Sequence, residues 1–369
     1  MKKLFWIMHD LEFGGAESMT IQLLPAFVDA GYDVTLFLVR TGGGLFEKLD
    51  PRVRLISPDA ASLRRGLRPL AEALRTVRPD VVVSNLTHLN LAAILTARLL
   101  RLDAALIVIE HSTPSLNNTQ SIKERSLASL ASLAYRLADR VVAVSQGAAE
   151  DILRMMRLPA AKVAVVYNPI DADAIRAQAE EPTGIDAIDQ AETPLIVAVG
   201  RLERQKNFSF LIRAFRLVRD RRDCRLVLVG DGSEAAELKR LAAELKLADD
   251  VLFPGFQANP FAFIARANVL SCSSEYEGFN RTIAEALTLG TPVVSVDCPS
   301  GPAEILANGV YGRLTPVGEL NAFADALLAA LGPIPAEERA RLRARGNDFS
   351  VGRIFTAMEN VIQSASGDR

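Results

Sequence analysis

The sequence predicts two doubly wound, Rossmann-like α/β domains facing each other across a cleft. Three observations predict it. Short apolar runs recur with room for one helix between them, as in KLFWIM, then AESMTIQLLPAFVDA, then DVTLFLV. Strand, helix, strand in that order makes a parallel pair with a crossover helix. The series occurs twice, interrupted at VYNPID (Val166–Asp171) by an Asn-Pro break and by a polar, acidic stretch over 171–193. A chain of 369 residues also exceeds one ordinary core and suits two.

In the first series, strands are expected at KLFWIM, DVTLFLV, Val81–Val83, Leu106–Ile109 and Val141–Ser145. In the second they fall at Pro194–Gly200, Arg225–Gly230, Asp250–Gly255, Ala267–Ser273 and Thr291–Val296. Continuous apolar runs, rather than alternating ones, mark strands covered by helices on both faces. The domains are expected over 1–168 and 169–345. A last helix, running from about Pro335 and amphipathic after its Arg/Glu-rich start, would cross back to the first domain with residues 346–369.

Hydrophobic and charged shares of 49% and 23% fit a soluble globular protein. No apolar run approaches the roughly 20 residues of a membrane helix. The start, MKKLFWIM, breaks at His9-Asp10 and reads as a strand rather than a signal peptide. Cys224, Cys272 and Cys298 are isolated, which fits a reducing cytoplasm better than a disulfide framework or a zinc site. Net charge is −2, but residues 1–168 carry 20 Lys and Arg against 16 Asp and Glu, and the remainder 22 against 28. The arginines lack interleaved aromatics, so no nucleic-acid partner is expected. The mildly basic first half, with Arg64, Arg65 and Arg68 together, leaves an anionic membrane surface as a partner.

Ligands of parallel sheets bind beyond the carboxyl ends of the strands, so the loops there hold the candidates. In Glu12–Ser18, Gly14 and Gly15 form a turn on their own, and they also permit close approach to backbone at a helix start that favours an anion. In GRLERQKN (Gly200–Asn207), Arg201 and Lys206 on their own are an exposed basic turn, but at a strand end they also suit a diphosphate, one as a fork and one as a point charge. VGDGSE lacks the third glycine of a dinucleotide fingerprint and reads as a tight loop. Asp171-Ala172-Asp173 mimics a metal-binding pair, but before AIRAQA it reads as a helix cap, and no metal is expected. His111, after a buried strand, is a cleft candidate or a structural histidine; His88 is a weaker one. No nucleophile elbow or activated cysteine appears. In EYEGFNRTIAEALTLG, Glu277 and Glu285 stand eight apart, and Thr282-x-x-Glu285 has capping-box spacing. Capping and ligand binding both stand on those residues alone.

Taken together, GGAE, GRLERQKN, FPGF and EGFNRTIAEALTLGTPVVS resemble the retaining, nucleotide-sugar-dependent glycosyltransferases of family four, with the GT-B fold. The order and spacing match over nearly the whole chain, and the E-x7-E element is the most specific part. The resemblance implies a donor site: Arg201 and Lys206 on the diphosphate, Glu285 on the ribose and Glu277 at the sugar ring. It places the Gly278, Phe279, Asn280 and Arg281 backbone near the sugar and phosphate, and Phe256, within Pro254–Gln257, at the base. Gly14 and Gly15 would close on the donor, and His111 would contact the transferred sugar. It further implies a metal-independent, retaining hexosyl or N-acetylhexosaminyl transfer, with UDP-sugars serving as co-substrate rather than cofactor. The acceptor would be a glycan or a lipid-linked one in bacterial surface polysaccharide assembly, and the enzyme cytoplasmic or peripheral at the inner membrane face. Asn280, where the family often has glycine, Arg281, and DCPSGPAEIL in place of a Gly-Gly-x-x-Glu form are departures that leave donor identity open. A UDP-sugar 2-epimerase-like isomerase and a non-catalytic nucleotide-binding protein are the alternatives.

Overall fold

A computed structural model describes residues 1–116 and 130–367. The chain divides into two compact units, Met1–Pro169 with Val351–Arg369, and Ile170–Ser350. The first unit is built on seven strands: β1 (Lys3–Met8), β2 (Asp33–Leu38), β3 (Arg54–Ile56), β4 (Val81–Asn85), β5 (Ala105–Glu110), β6 (Arg140–Ala143) and β7 (Val163–Val165). They pair in the order β3-β2-β1-β4-β5-β6-β7, all parallel. In the second unit six strands follow: β8 (Leu195–Val199), β9 (Arg225–Val229), β10 (Val251–Gly255), β11 (Val269–Cys272), β12 (Val293–Val296) and β13 (Arg313–Thr315). Their order is β10-β9-β8-β11-β12-β13, again parallel.

Helices cover both faces of the first sheet, which is why its central strands bury every residue. Phe5, Phe37, Leu70, Leu74 and Leu89 form one core cluster and Ile94, Val108, Tyr135, Val141 and Ile152 a second, side by side on the same face, because the register sets Phe5 beside Val82, Val82 beside Leu106 and Val108 beside Val141. In the second unit Phe208, Phe215, Leu226, Leu228 and Phe323 fill the corresponding layer. Among the described residues no helix is long and apolar enough to cross a membrane.

Three strands escape a reading of apolar runs. β3, β7 and β13 have three residues each, lie at sheet edges and are mostly part-exposed, so they present no apolar stretch. The expected last helix is two helices, Ala336–Gly346 and Val351–Gly367, parted by a single turn at Asn347–Phe349. The break has a cause. The first piece packs on the helix Arg281–Leu289 of the second unit, and the second packs on the first unit's Gly15–Asp29 helix, Phe355 edge-on to Phe27 at 4.9 Å. At the break the Phe349 carbonyl accepts the Ile170 N–H at 2.8 Å, and Ile170 bridges Ser350. The second unit therefore begins and ends side by side.

Candidate active site

Strand order reverses beside the first strand of each sheet, between β1 and β4 and between β8 and β11. The loops leaving two such neighbours diverge and leave a crevice at the carboxyl edge. In the second unit those loops are 200–207 and 273–280, the two that carry the sequence candidates.

Lys206 and Glu277 meet there. Lys206 Nζ lies 2.7 Å from Glu277 Oε1, and their side chains are 20% and 8% exposed. The same Oε1 accepts from Ser274 Oγ at 2.6 Å and from Asn280 Nδ2 at 3.1 Å. The loops are also stitched through backbone: Gln205 Nε2 donates to the Tyr276 carbonyl, Glu275 N to the Gln205 carbonyl, and Ser273 Oγ to the Lys206 carbonyl. Burial pulls the Lys206 ammonium down, and the Glu277 carboxylate more than restores it, leaving it above its ordinary value. Arg201, by contrast, is exposed at the mouth of β8.

Glycines let these loops close. Gly230 follows β9 with φ +146°, and a Cβ there would fall 1.9 Å from the Gly200 carbonyl oxygen. Gly301 has φ +97°, and its Cβ would sit 3.2 Å from Asn280 N, so the 297–302 loop lies flat on the 278–280 backbone. Glu277 N donates to the Pro299 carbonyl across the same seam.

Asn280, not Thr282, caps the helix Arg281–Leu289. Its Oδ1 accepts from Ile283 N and from Thr282 Oγ1, while Nδ2 reaches Glu277 and, at 2.8 Å, Cys272 Sγ. The capping box fails because Thr282 already lies inside the helix and Glu285 turns to Arg281. Arg281 Nη2 is 3.4 Å from Glu285 Oε1, on side chains 15% and 9% exposed. Burial pushes the Glu285 carboxyl up, against the nearby Arg281, and pushes Arg281 down. Gly278 is half-buried, and the Phe279 ring is spent on packing, edge-on to Phe349 at 5.5 Å. Phe256 follows β10, two strands from β8 or roughly 10 Å, and is 54% exposed. Asp171 does cap its helix, accepting from Ala174 N.

In the first unit all three histidines of the chain gather where β1, β4 and β5 end. His9 and His88 stack edge-to-face at 5.8 Å, and burial, helped by His9, holds His88 below its ordinary value. His111 Nε2 lies 2.7 Å from Asn85 Oδ1, the last residue of β4. Beneath it Glu110, fully buried, accepts from Thr87 Oγ1, Ser112 Oγ and Tyr135 OH at 2.8–2.9 Å, and Asn90 Nδ2 donates to Tyr135. Burial raises the Glu110 carboxyl, against those hydroxyls. Gly14 and Gly15 do begin a helix, but its start already carries an anion: a Cβ on Gly14 would meet the Glu17 carboxylate at 2.1 Å. Burial holds Glu17 above its ordinary value.

Two family models match the chain. The model described as Glycosyltransferase Family 4 matches residues 13–174, and that described as Glycosyl transferases group 1 matches 186–348. The chain belongs to the family-four glycosyltransferases. This glycosyltransferase is 29% identical over 344 residues to a Campylobacter jejuni N-acetylgalactosaminyltransferase acting on a diphospho-undecaprenol-linked sugar, covering 90% of both chains. It is 28% identical to the lipopolysaccharide core biosynthesis glycosyltransferase LpsE of Rhizobium meliloti, covering 92% of both. Among solved structures it resembles Anabaena HepE in complex with UDP, with TM-score 0.79 and 23% identity over 99% of this chain and 100% of that one. The likeness establishes the two-Rossmann GT-B fold.

For the glycosyltransferase, then, three of the sequence candidates form one cluster (Lys206, Glu277 and Asn280), and Arg281 with Glu285 forms a second on the adjoining helix. Ser274, Cys272 and Glu110 escaped the sequence reading. Ser274 carried no signal. Glu110 did: it is a lone carboxylate ending an otherwise apolar strand, which demands partners.

Proposed function

We propose that this glycosyltransferase moves a hexosyl or N-acetylhexosaminyl group from a UDP-sugar to a glycan or lipid-linked acceptor during bacterial surface polysaccharide assembly. The buried Lys206–Glu277 pair at the switch point of the second sheet carries the reading. A cation held at 2.7 Å from a carboxylate, with Arg201 exposed nearby, suits a substrate that bears both a diphosphate and hydroxyls. The relatives' names support the acceptor class, and the UDP in the HepE structure supports the nucleotide.

In this reading Lys206 and Arg201 stabilise the charge that develops on the departing diphosphate. Glu277 receives sugar hydroxyls, Glu285 receives the ribose, and the Asn280-capped helix start faces phosphate. Phe256 borders the base, Gly14 and Gly15 border the donor, and His111 touches the transferred sugar. The acceptor hydroxyl oxygen forms the new bond to the anomeric carbon as that carbon's bond to the phosphate oxygen breaks. The hydroxyl proton passes to the departing diphosphate, and attack from the leaving-group face retains configuration. No metal is needed for that balance. The enzyme works in the cytoplasm, peripherally at the inner membrane face.

The test is a panel of nucleotide sugars scored by thermal stabilisation. A donor at 100 times its dissociation constant adds about 2.7 kcal/mol. Stabilisation by UDP and a UDP-sugar is expected, and none by any nucleotide sugar would sink the reading. NMR of the product then decides stereochemistry: an α-linked donor must yield an α-linked product.

A further inference from the structure

Arg281 stands where elementary physics gives it no advantage. It opens the helix Arg281–Leu289, and a helix start carries positive partial charge, so the dipole opposes a cation there. Its side chain is 15% exposed, and that of Glu285, one turn further on, 9%. Burying two charges costs more than their attraction returns unless the arrangement is close to ideal. Here Nη2 and Oε1 are 3.4 Å apart, longer than the roughly 2.7–2.9 Å of a good charge-assisted hydrogen bond. Burial accordingly outweighs the partner on both sides, holding Arg281 down and Glu285 up. Their neighbours Ile283, Ala284, Ala286 and Leu287 are fully buried, so an apolar pair would have suited this helix better.

A ribose offers two neighbouring hydroxyls. An ionised carboxylate only accepts hydrogen bonds and can take both, whereas a protonated carboxyl turns one of its oxygens into a donor. Burial drives Glu285 toward the protonated form; Arg281 opposes it most, and Lys206 next. Lys206 is in turn held by Glu277 at 2.7 Å, so the Arg281–Glu285 pair borders the transfer site.

We propose that Arg281 is a positioning residue: its guanidinium turns the Glu285 carboxylate to the donor's ribose so that both hydroxyls are accepted, and the enzyme thereby selects ribonucleotides over their deoxy counterparts. This rests on the reading of Glu285 as the ribose-binding group. An arginine serving the diphosphate directly would keep its guanidinium at the helix start; this one lies a turn along the helix, against Glu285.

Calorimetric titration of the full chain with UDP, 2′-deoxy-UDP and 3′-deoxy-UDP near neutral pH tests it. The wild type should bind UDP roughly 10- to 100-fold tighter than either deoxy nucleotide, the range of a hydrogen bond to a charged group. Glu285→Gln should shrink that preference to about threefold or less, since a neutral acceptor forms the weaker bond. Arg281→Met should do the same, by weakening UDP while leaving the deoxy nucleotides nearly as they were. Arg281→Gln still donates an N–H and is gentler on the fold; it should lose the preference as well, so the test survives a methionine variant that does not fold. Arg281→Lys returns a cation beside the carboxylate and should restore most of the preference. A preference that Arg281→Met and Arg281→Gln keep, when Glu285→Gln loses it, overturns the proposal and leaves the ribose reading standing. A lysine variant no better than glutamine overturns it too. Equal weakening of all three nucleotides likewise overturns it, and assigns the arginine to the diphosphate or to packing. A wild type without preference, or a preference that Glu285→Gln keeps, removes the ribose reading and the proposal together.

Discussion

Asn280 Nδ2 stands 3.1 Å from Glu277 Oε1 while its Oδ1 accepts the Ile283 N–H, so one side chain both caps a helix and holds the candidate sugar-binding carboxylate. The two duties are separable. Asn280→Ser keeps a capping oxygen but loses the reach to Glu277; Asn280→Ala loses both. Turnover should fall roughly 10- to 100-fold in each, as misplacement of a positioned group does. Only the alanine variant should also lose the cap, about 1 kcal/mol relative to serine. Urea unfolding and steady-state kinetics on the two variants check this, and wild-type turnover in Asn280→Ser would refute the link.

Lys206 and Glu277 are expected to act as a unit. Lys206→Ala and Glu277→Ala should each reduce turnover by about 10²-fold or more. The double variant should be little worse than either, because each single change already breaks the shared arrangement. Multiplicative losses would show two independent roles.

The Arg281–Glu285 pair bears on stability before it bears on substrate. Arg281→Met leaves the Glu285 carboxylate buried beside an apolar chain and should cost about 3 kcal/mol in urea unfolding. Adding Glu285→Gln should recover much of that loss, since it removes the stranded charge. An equally unstable double variant would mean the arginine acts through packing alone.

Glu110 makes stability depend on pH. Its folded value lies above the ordinary one, because burial outweighs the three hydroxyls. Such a group binds its proton more tightly in the folded chain. Its contribution is complete below the ordinary glutamate value and is lost as pH climbs through the raised one. As pH rises above the ordinary glutamate value, the wild-type melting temperature should therefore fall more steeply than that of Glu110→Gln. Glu285 and Glu17 are raised too and remain, so the slope should shrink rather than vanish. Parallel slopes would assign the pH response elsewhere.

Gly230→Ala should be destabilising far beyond its size. The new Cβ would fall 1.9 Å from the Gly200 carbonyl, at a φ of +146° that side chains resist. A cost of about 1–3 kcal/mol is expected, with turnover impaired because Gly200 opens the Arg201–Lys206 loop. Gly352→Ala, where no atom lies within 4 Å, is the matched control. Equal stability of the two would show that the loop yields freely.

The buried strands were legible because parallel sheets demand unbroken apolar runs, and KLFWIM or PLIVAV can hardly be anything else. Edge strands β3, β7 and β13 were not, since three part-exposed residues leave no pattern. Site loops could be found from strand ends, yet the partners inside them could not. That Asn280 takes the cap from Thr282 depends on backbone turning one residue pair earlier than the capping-box spacing implies. That Glu110 joins Tyr135 across 25 residues depends on the sheet order that brings β5 beside its neighbours. Periodicity likewise ran through Asn347–Ser350 without revealing that the helix changes cores there.

The clasp of Ile170 against Phe349 and Ser350 has a consequence for how the gene can be cut. Residues 170–350 are one uninterrupted segment whose ends are pinned together, so they form a cassette that can be lifted out or exchanged with little loss of its own contacts. The other unit has no such freedom. It is assembled from Met1–Pro169 and Val351–Arg369, with Ile354, Met358 and Ile362 in its interior, so it cannot be completed before residues 170–350 have been made.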